Sequence, residues 1–299
     1  MMARWRGWVL ALLLMPWVPA AALEPVRLPA ATPAAAPGLL WRIDAPGGVS
    51  SHLFGTMHSE HPDVVTLPET VYEALATSSS VTLEMVMDPQ SLARLGEAMF
   101  ITAGPPLPER IGAELFRRIV PAMAAHGVPE HALRTMQPWA VATTLMMPKS
   151  NTGLFLDRVL YLEALAKGKP VAGLETAEEQ MAVFTALSDE DQTRLLEDAL
   201  RQLPELDELH ARMRAAYVRR DLQALIEISE ASLRESDPEL AAYFNEQVIV
   251  ARNRRMVERM QADLKRGNAF IAVGALHLPG EEGILALLRR QGYRVSVVY

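Results

Sequence analysis

A mixed α/β fold with α+β character is the expectation for this chain: a central mixed sheet, flanked and capped by a largely helical middle region. Three observations carry it. Short apolar runs of strand composition end in glycine or an acid, at "SHLFGTMH", "SVTLE", "PVAGLE" and "FIAVGALH". Between the first and last of these, from about 105 to 262, apolar residues recur mostly at helical spacing. The C-terminal stretch "NAFIAVGALHLPGEEGILALLRRQGYRVSVVY" reads as strand, sharp turn, helix, glycine cap and strand, which predicts a βαβ unit in a sheet buried on both faces.

At the N-terminus, Arg4 and Arg6 precede an apolar stretch from Trp8 to Val18, followed by small residues Ala20 to Ala22. This is the pattern of a secretory signal peptide over 1–22 cleaved near Ala22, and its apolar core is short of the ~20 residues a membrane-crossing helix needs. Membrane contact is then expected only through an uncleaved signal segment. Residues 23–38, rich in proline and alanine, suit an extended tether, and the folded domain is expected over 39–299.

"LLWRID" and "VSSHLFGT" flank "APGG", a hairpin signal, and a helix is expected from Pro68 through "ETVYEALATS". Alternation in "SVTLEMVMD" predicts a strand with Glu84 on the face opposite its apolar neighbours. Helical periodicity then runs through "AELFRRIVPAMAAHG", "GLFLDRVLYLEALAKGK", "DEDQTRLLEDALRQL" and "LQALIEISEASLRE". "PVAGLET" interrupts it as a short buried strand ending at Glu175, entered through the Gly168 helix cap.

Composition limits the function classes. The 299 residues carry a net charge of −7, and residues 1–22 contain two arginines and no acid, so the remainder is more acidic still. An acidic exported chain is a poor partner for nucleic acid or anionic lipid. With no cysteine, the fold uses no disulfide, and any metal must be held by nitrogen and oxygen.

His58, Glu84, Glu175 and His277 all fall at or near strand ends, where ligands collect in open α/β sheets. Gly55 and Gly274, each three residues ahead of a histidine, are expected to let the backbone turn tightly. Two imidazoles with one or two carboxylates form a competent shell for a divalent metal, which activates water and polarises a carbonyl. A carboxylate outside that shell serves as general base. The spacing does not choose between Glu84 and Glu175 for the two parts, and glycine, two residues and histidine is a weak pattern by itself.

Other residues have plainer readings. His61 reads as solvated, and His52, His126, His131 and His210 as structural. The methionines, Met85, Met87, Met146 and Met147 among them, read as core filler. In "VARNRRMVERM", Arg252, Arg255 and Arg259 share one helix face, a solvated basic stripe by pattern. The functional reading puts Arg252 and Asn253 at the site, where arginine clamps a carboxylate or stabilises developing negative charge.

"LFGTMHSEHPDVVTLPETVYEAL", "VTLEMVM", "QPWAVATTL", "GLFLDRVLYLEALAKGKPVAGLETAEEQMAVF", "ARNRRMVERM" and "FIAVGALHLPGEEGILALLRRQGYRV" together resemble the TraB/GumN family, related to TraB/PrgY and to the Tiki metalloproteases. The resemblance runs from about Leu40 to the C-terminus. It implies a metal-dependent hydrolase, a peptidase by preference. Gly55 with His58 and Gly274 with His277 fall on the two GxxH motifs, Glu84 on the strand acid, Glu175 on the "GLET" acid, and Arg252 with Asn253 on the "RN" pair. Manganese or cobalt is the metal it favours, with zinc also compatible, and "GLFLD" departs from the family's G-x-D pattern at Asp157.

The expectation is therefore an exported hydrolase, periplasmic or secreted, acting on a peptide or other small amide or ester. Its rivals are a metal-free esterase-like enzyme with His58 as base, and a non-catalytic protein that binds a peptide or tetrapyrrole in the same cleft.

Overall fold

The computed structural model describes residues 37–150, 152–234 and 237–299. The expected signal peptide, and the tether as far as residue 36, lie outside the described residues.

Strands β1 (Leu40–Asp44) and β2 (Ser50–Thr56) form the expected hairpin, with Leu40 opposite Phe54 and Asp44 opposite Ser50. Its turn needs a residue at φ 85°, which Gly48 supplies. β3 (Ser80–Leu83), β4 (Val171–Gly173), β5 (Ala269–Gly274) and β6 (Arg294–Val297) complete a six-stranded sheet of order β4-β3-β5-β2-β1-β6. β4, β3, β5 and β2 run parallel to one another, while β1 is antiparallel to both β2 and β6.

Three strand expectations change. β4 is a largely exposed edge strand that ends at Gly173, because only β3 flanks it, rather than a buried strand ending at Glu175. β3 stops at Leu83 with all four residues buried, so Glu84 lies beyond the strand rather than alternating along it. β5 and β6 are not neighbours: the helix Ile284–Arg290 carries the chain past β2 and β1, and β6 is a largely exposed edge strand. The apolar run of β5 correctly marks a strand buried on both faces, whereas "RVSVVY" alternates because only one side of it packs.

Apolar side chains gather in two clusters. The first surrounds the sheet, with Phe54, Phe270 and Ile271 packed against Leu160, Met256 and Leu288 from flanking helices. The second is helical, built from Ile119, Trp139, Leu145, Phe184 and Phe244. The helix Asp189–Val218 joins them: Leu196 and Leu206 enter the helical cluster, while Met213 and Tyr217 enter the sheet cluster. At 30 residues it is about 45 Å long, and it runs on through Pro204, which removes one internal hydrogen bond.

A π-helical segment, Asn245–Val250, leads directly into the helix Ala251–Arg259. Such segments often mark functional positions. It precedes a helix whose Arg252 and Asn253 are buried, at 1% and 0% exposure.

Candidate functional site

The carboxyl ends of the four parallel strands lie along one edge of the sheet, so the residues just past them converge. Glu84 follows β3 directly, Glu175 follows β4 by two residues, His58 follows β2 by two, and His277 follows β5 by three. The ladder continues beyond β3 and β4, with Leu174 N donating to Leu83 O at 2.8 Å and Glu175 N to Glu84 O at 2.7 Å. Both carboxylates therefore start from fixed backbone.

Arg252 is the centre of the cluster. Its Nη2 donates to Glu84 Oε2 at 2.7 Å, and its Nε donates to Glu175 Oε2 at 2.8 Å. Its Nη1 lies 3.1 Å from His277 Nε2. A guanidinium only donates, so Nε2 must be the accepting, unprotonated nitrogen. The proton then sits on Nδ1, which donates to Asn253 Oδ1 at 2.7 Å. The Asn253 amide is itself oriented, because its Nδ2 donates to Glu282 O at 2.8 Å. The network thus assigns His277 one neutral tautomer.

Electrostatics agree with this picture. Burial pushes His277 down to about 4, against the opposing pull of Glu84. Burial alone would raise Glu84, but Arg252, His277 and the Gly274 N–H outweigh it and bring the carboxyl to about 2. Glu84 Oε1 accepts from Gly274 N at 2.5 Å and lies 3.6 Å from His277 Nε2.

Glu175 stands behind the site. Its side chain is fully buried, with Oε2 on Arg252 and Oε1 accepting from Arg255 Nε at 3.0 Å and Nη2 at 2.5 Å. Arg259 donates to Leu174 O and to both oxygens of Glu179, each at 2.6 Å. The expected solvated basic stripe is instead turned towards the acids, a pairing that helix spacing does not reveal.

His58 occupies another part of the wall. Its side chain is 48% exposed, its Nδ1 lies 3.7 Å from Asp157 Oδ2, and its ring lies over Phe155 with centroids 3.6 Å apart. Asp157 Oδ1 in turn accepts from Thr56 Oγ1 at 2.8 Å. Among the described residues, no group of three or more His, Asp or Glu side chains is gathered as a metal shell. Glu84, Glu175, Arg252, Asn253 and His277 are brought together, whereas His58 faces the same cavity from its own pair with Asp157.

That cavity has a volume of about 600 Å³ and lies between the strand ends and the helical cluster. Glu84, Arg252, Gly274, His277, His58 and Asp157 line its polar part, and Met85, Met87, Met146, Met181 and Trp139 its apolar part. These methionines therefore face a binding space instead of only filling core. His210, expected to be structural, also lines the cavity, with Nε2 3.1 Å from Met146 O. Tyr217, whose OH donates to Gly55 O at 2.8 Å, had no distinguishing signal beyond its helical spacing from His210 and Met213. His61 behaves as a local cap, accepting from Asp63 N.

The motif glycines work by proximity. Gly274 has φ −54°, open to any residue, and Gly55 has no positive φ. A Cβ at Gly55 would lie 2.8 Å from Leu278 Cδ1 and 3.2 Å from Ala275 Cα; at Gly274 it would meet Glu84 Oε1 at 3.2 Å and His277 Cδ2 at 3.4 Å. The chain does turn tightly after Gly274, through the 3-10 segment Ala275–His277, but close approach rather than φ is what calls for glycine.

The sequence description of the TraB/PrgY/gumN family matches residues 39–297. The chain belongs to the TraB/PrgY/gumN family. Among its relatives, "Metalloprotease TIKI2" of Danio rerio is 24% identical over 317 residues, covering 86% of this chain and 60% of that protein. "Metalloprotease TIKI1" of Danio rerio is 25% identical over 314 residues, covering 86% and 62%. "Uncharacterized protein YbaP" of Shigella flexneri is 25% identical over 256 residues, covering 83% and 90%. The chain thus spans about 60% of the length of the TIKI relatives it matches. No solved structure matches it significantly. This TraB/PrgY/gumN member has no helix long and apolar enough to cross a membrane among its described residues.

Proposed function

We propose that this chain is an exported metal-dependent hydrolase that cleaves peptides or closely related amides. One observation carries the reading: an unprotonated imidazole nitrogen, His277 Nε2, lies 3.6 Å from the ionised Glu84 on the wall of a cavity at the strand ends. Names of the relatives as metalloproteases support it.

The nitrogen and oxygen donors are of the type a divalent ion takes, with manganese or cobalt favoured and zinc accepted. His277, Glu84 and His58 would hold it once the contact of His277 Nε2 with Arg252 Nη1 opens. When bound, such an ion supplies an activated water and a polarised carbonyl.

The chain's own residues do the rest. Asn253 fixes the His277 tautomer. Arg252 keeps Glu84 ionised and holds Glu84, Glu175 and His277 in register. A carboxyl held near 2 is a weak base, which favours Glu84 as ligand over proton acceptor. Glu175, saturated by two arginines, holds Arg252 in place.

Metal content and peptide cleavage of protein purified without chelator test the reading. A stoichiometric ion that is lost in both His58→Ala and His277→Ala, together with loss of cleavage, supports it. Full activity in chelator instead favours the second reading, a metal-free hydrolase with His58 as base, which the contact of His58 with Asp157 favours. Export over residues 1–22 is tested by N-terminal sequencing of the mature protein; an intact Met1 in the exported fraction contradicts cleavage.

A further inference from the structure

One wall of the cavity is a face of the helix Asp189–Val218, which presents His210, Met213, Arg214 and Tyr217 at the spacing of successive turns. Its charges are unevenly matched. Arg252 is neutralised by Glu84 and Glu175, and Asp157 has His58 and Thr56. Arg214, half-buried, has no carboxylate partner among the described residues.

An arginine partly withdrawn from water and left without a counter-ion favours an incoming anion, above all a carboxylate that can take two parallel N–H bonds. Nearby His210 adds no second cation: burial lowers its pKa, and Arg214 lowers it further against the pull of Asp207. The remaining surface is mostly apolar and rich in methionine, a flexible lining suited to varied apolar side chains. The matching ligand is apolar along its length and carries a single carboxylate.

We propose that Arg214 is the anchor for the free C-terminal carboxylate of an apolar peptide, so that the cavity selects substrates by that terminus. This rests on the hydrolase reading only for the word substrate; the anchoring itself is a binding property and is read without turnover.

The test uses N-acetylated tripeptides of leucine, methionine and phenylalanine, each as free acid and as C-terminal amide, titrated calorimetrically into the mature protein. Acetylation leaves the carboxylate as the sole charge. The acid form is expected to bind about tenfold more tightly than the amide, in keeping with a charge-assisted hydrogen bond. Arg214→Gln should bring that ratio close to one while leaving amide affinity unchanged, Arg214→Lys should keep part of the preference, and Arg214→Glu should reverse it. An unaltered denaturation midpoint certifies that the variants fold. Equal ratios in the wild type and Arg214→Gln overturn the proposal, as does a panel in which no acid outbinds its amide. Acid-selective binding without any cleavage would sink the hydrolase reading and leave the anchor standing.

Discussion

Asn253 holds His277 by the ring nitrogen opposite Arg252, its Oδ1 accepting from Nδ1 at 2.7 Å. The contact, with the Arg252 donor on Nε2, sets which nitrogen is left unprotonated. In Asn253→Ala the Nδ1 proton loses its acceptor and the Glu282 carbonyl loses its donor. Peptide cleavage, measured as kcat/KM, is expected to fall about 10–100-fold, the usual effect of removing a residue that orients a metal-binding histidine. Nitrogen NMR of the imidazole should still show Nε2 unprotonated, because Arg252 continues to donate to it, with the Nδ1 signal shifted by the loss of its acceptor.

Arg252 is buried between two acids, and removing it leaves Glu84 without its arginine, whereas Glu175 keeps Arg255. Arg252→Met should destabilise the fold by about 3–5 kcal/mol, the cost of leaving a buried charge without its partner, read from urea denaturation. Adding Glu84→Gln to Arg252→Met should recover part of the loss, because the orphaned charge is then gone. If the single variant unfolds at the wild-type midpoint, the cluster is not what holds these strand ends together.

Acid should weaken the metal-free protein in two stages. His277 titrates near 4 when folded, against an ordinary 6.5, so between these values the unfolded chain binds the extra proton and stability falls as pH falls. Glu84 titrates near 2, against an ordinary 4.5, and its contribution is present above 4.5 and lost on the way down to 2. Urea midpoints measured in chelator from pH 7 to 3 should decline throughout. In His277→Gln the slope between pH 6.5 and about 4.5 should flatten while the lower stage persists.

Alanine at the two motif glycines should separate stability from activity. At Gly55 the new methyl meets buried Leu278 and the Ala275 backbone, and an overpacked core costs about 1–3 kcal/mol. At Gly274 it presses on the Glu84 carboxylate and the His277 ring, so Gly274→Ala should lose activity with a smaller shift in denaturation midpoint. The reverse pattern would overturn the close-approach account.

Much of the scaffold was legible because local signals and packing agree. The β1–β2 hairpin followed from its glycine turn, and β5 from an unbroken apolar run. Strand ends carrying Glu84, Glu175 and His277 could be read from where those runs stop. Three features could not. The inward turn of the arginine stripe depends on acids more than 70 positions away in sequence, such as Glu175 for Arg252. The pairing of His58 with Asp157 joins a strand end to a helix start, and no periodicity links them. The role of the methionines depends on whether the space beside them is filled, which spacing does not encode.

The strand order also governs when the sheet can be assembled. Among the described residues β5 is the only link between the β4–β3 half and the β2–β1 half, yet it lies at residues 269–274 of 299. Until that segment is available, the two halves have no ladder in common, and in the earlier nine-tenths of the chain β1 can pair only with β2, and β3 only with β4. Pairing so distant in sequence is slow. The sheet therefore closes its centre only once nearly all of the chain is in place.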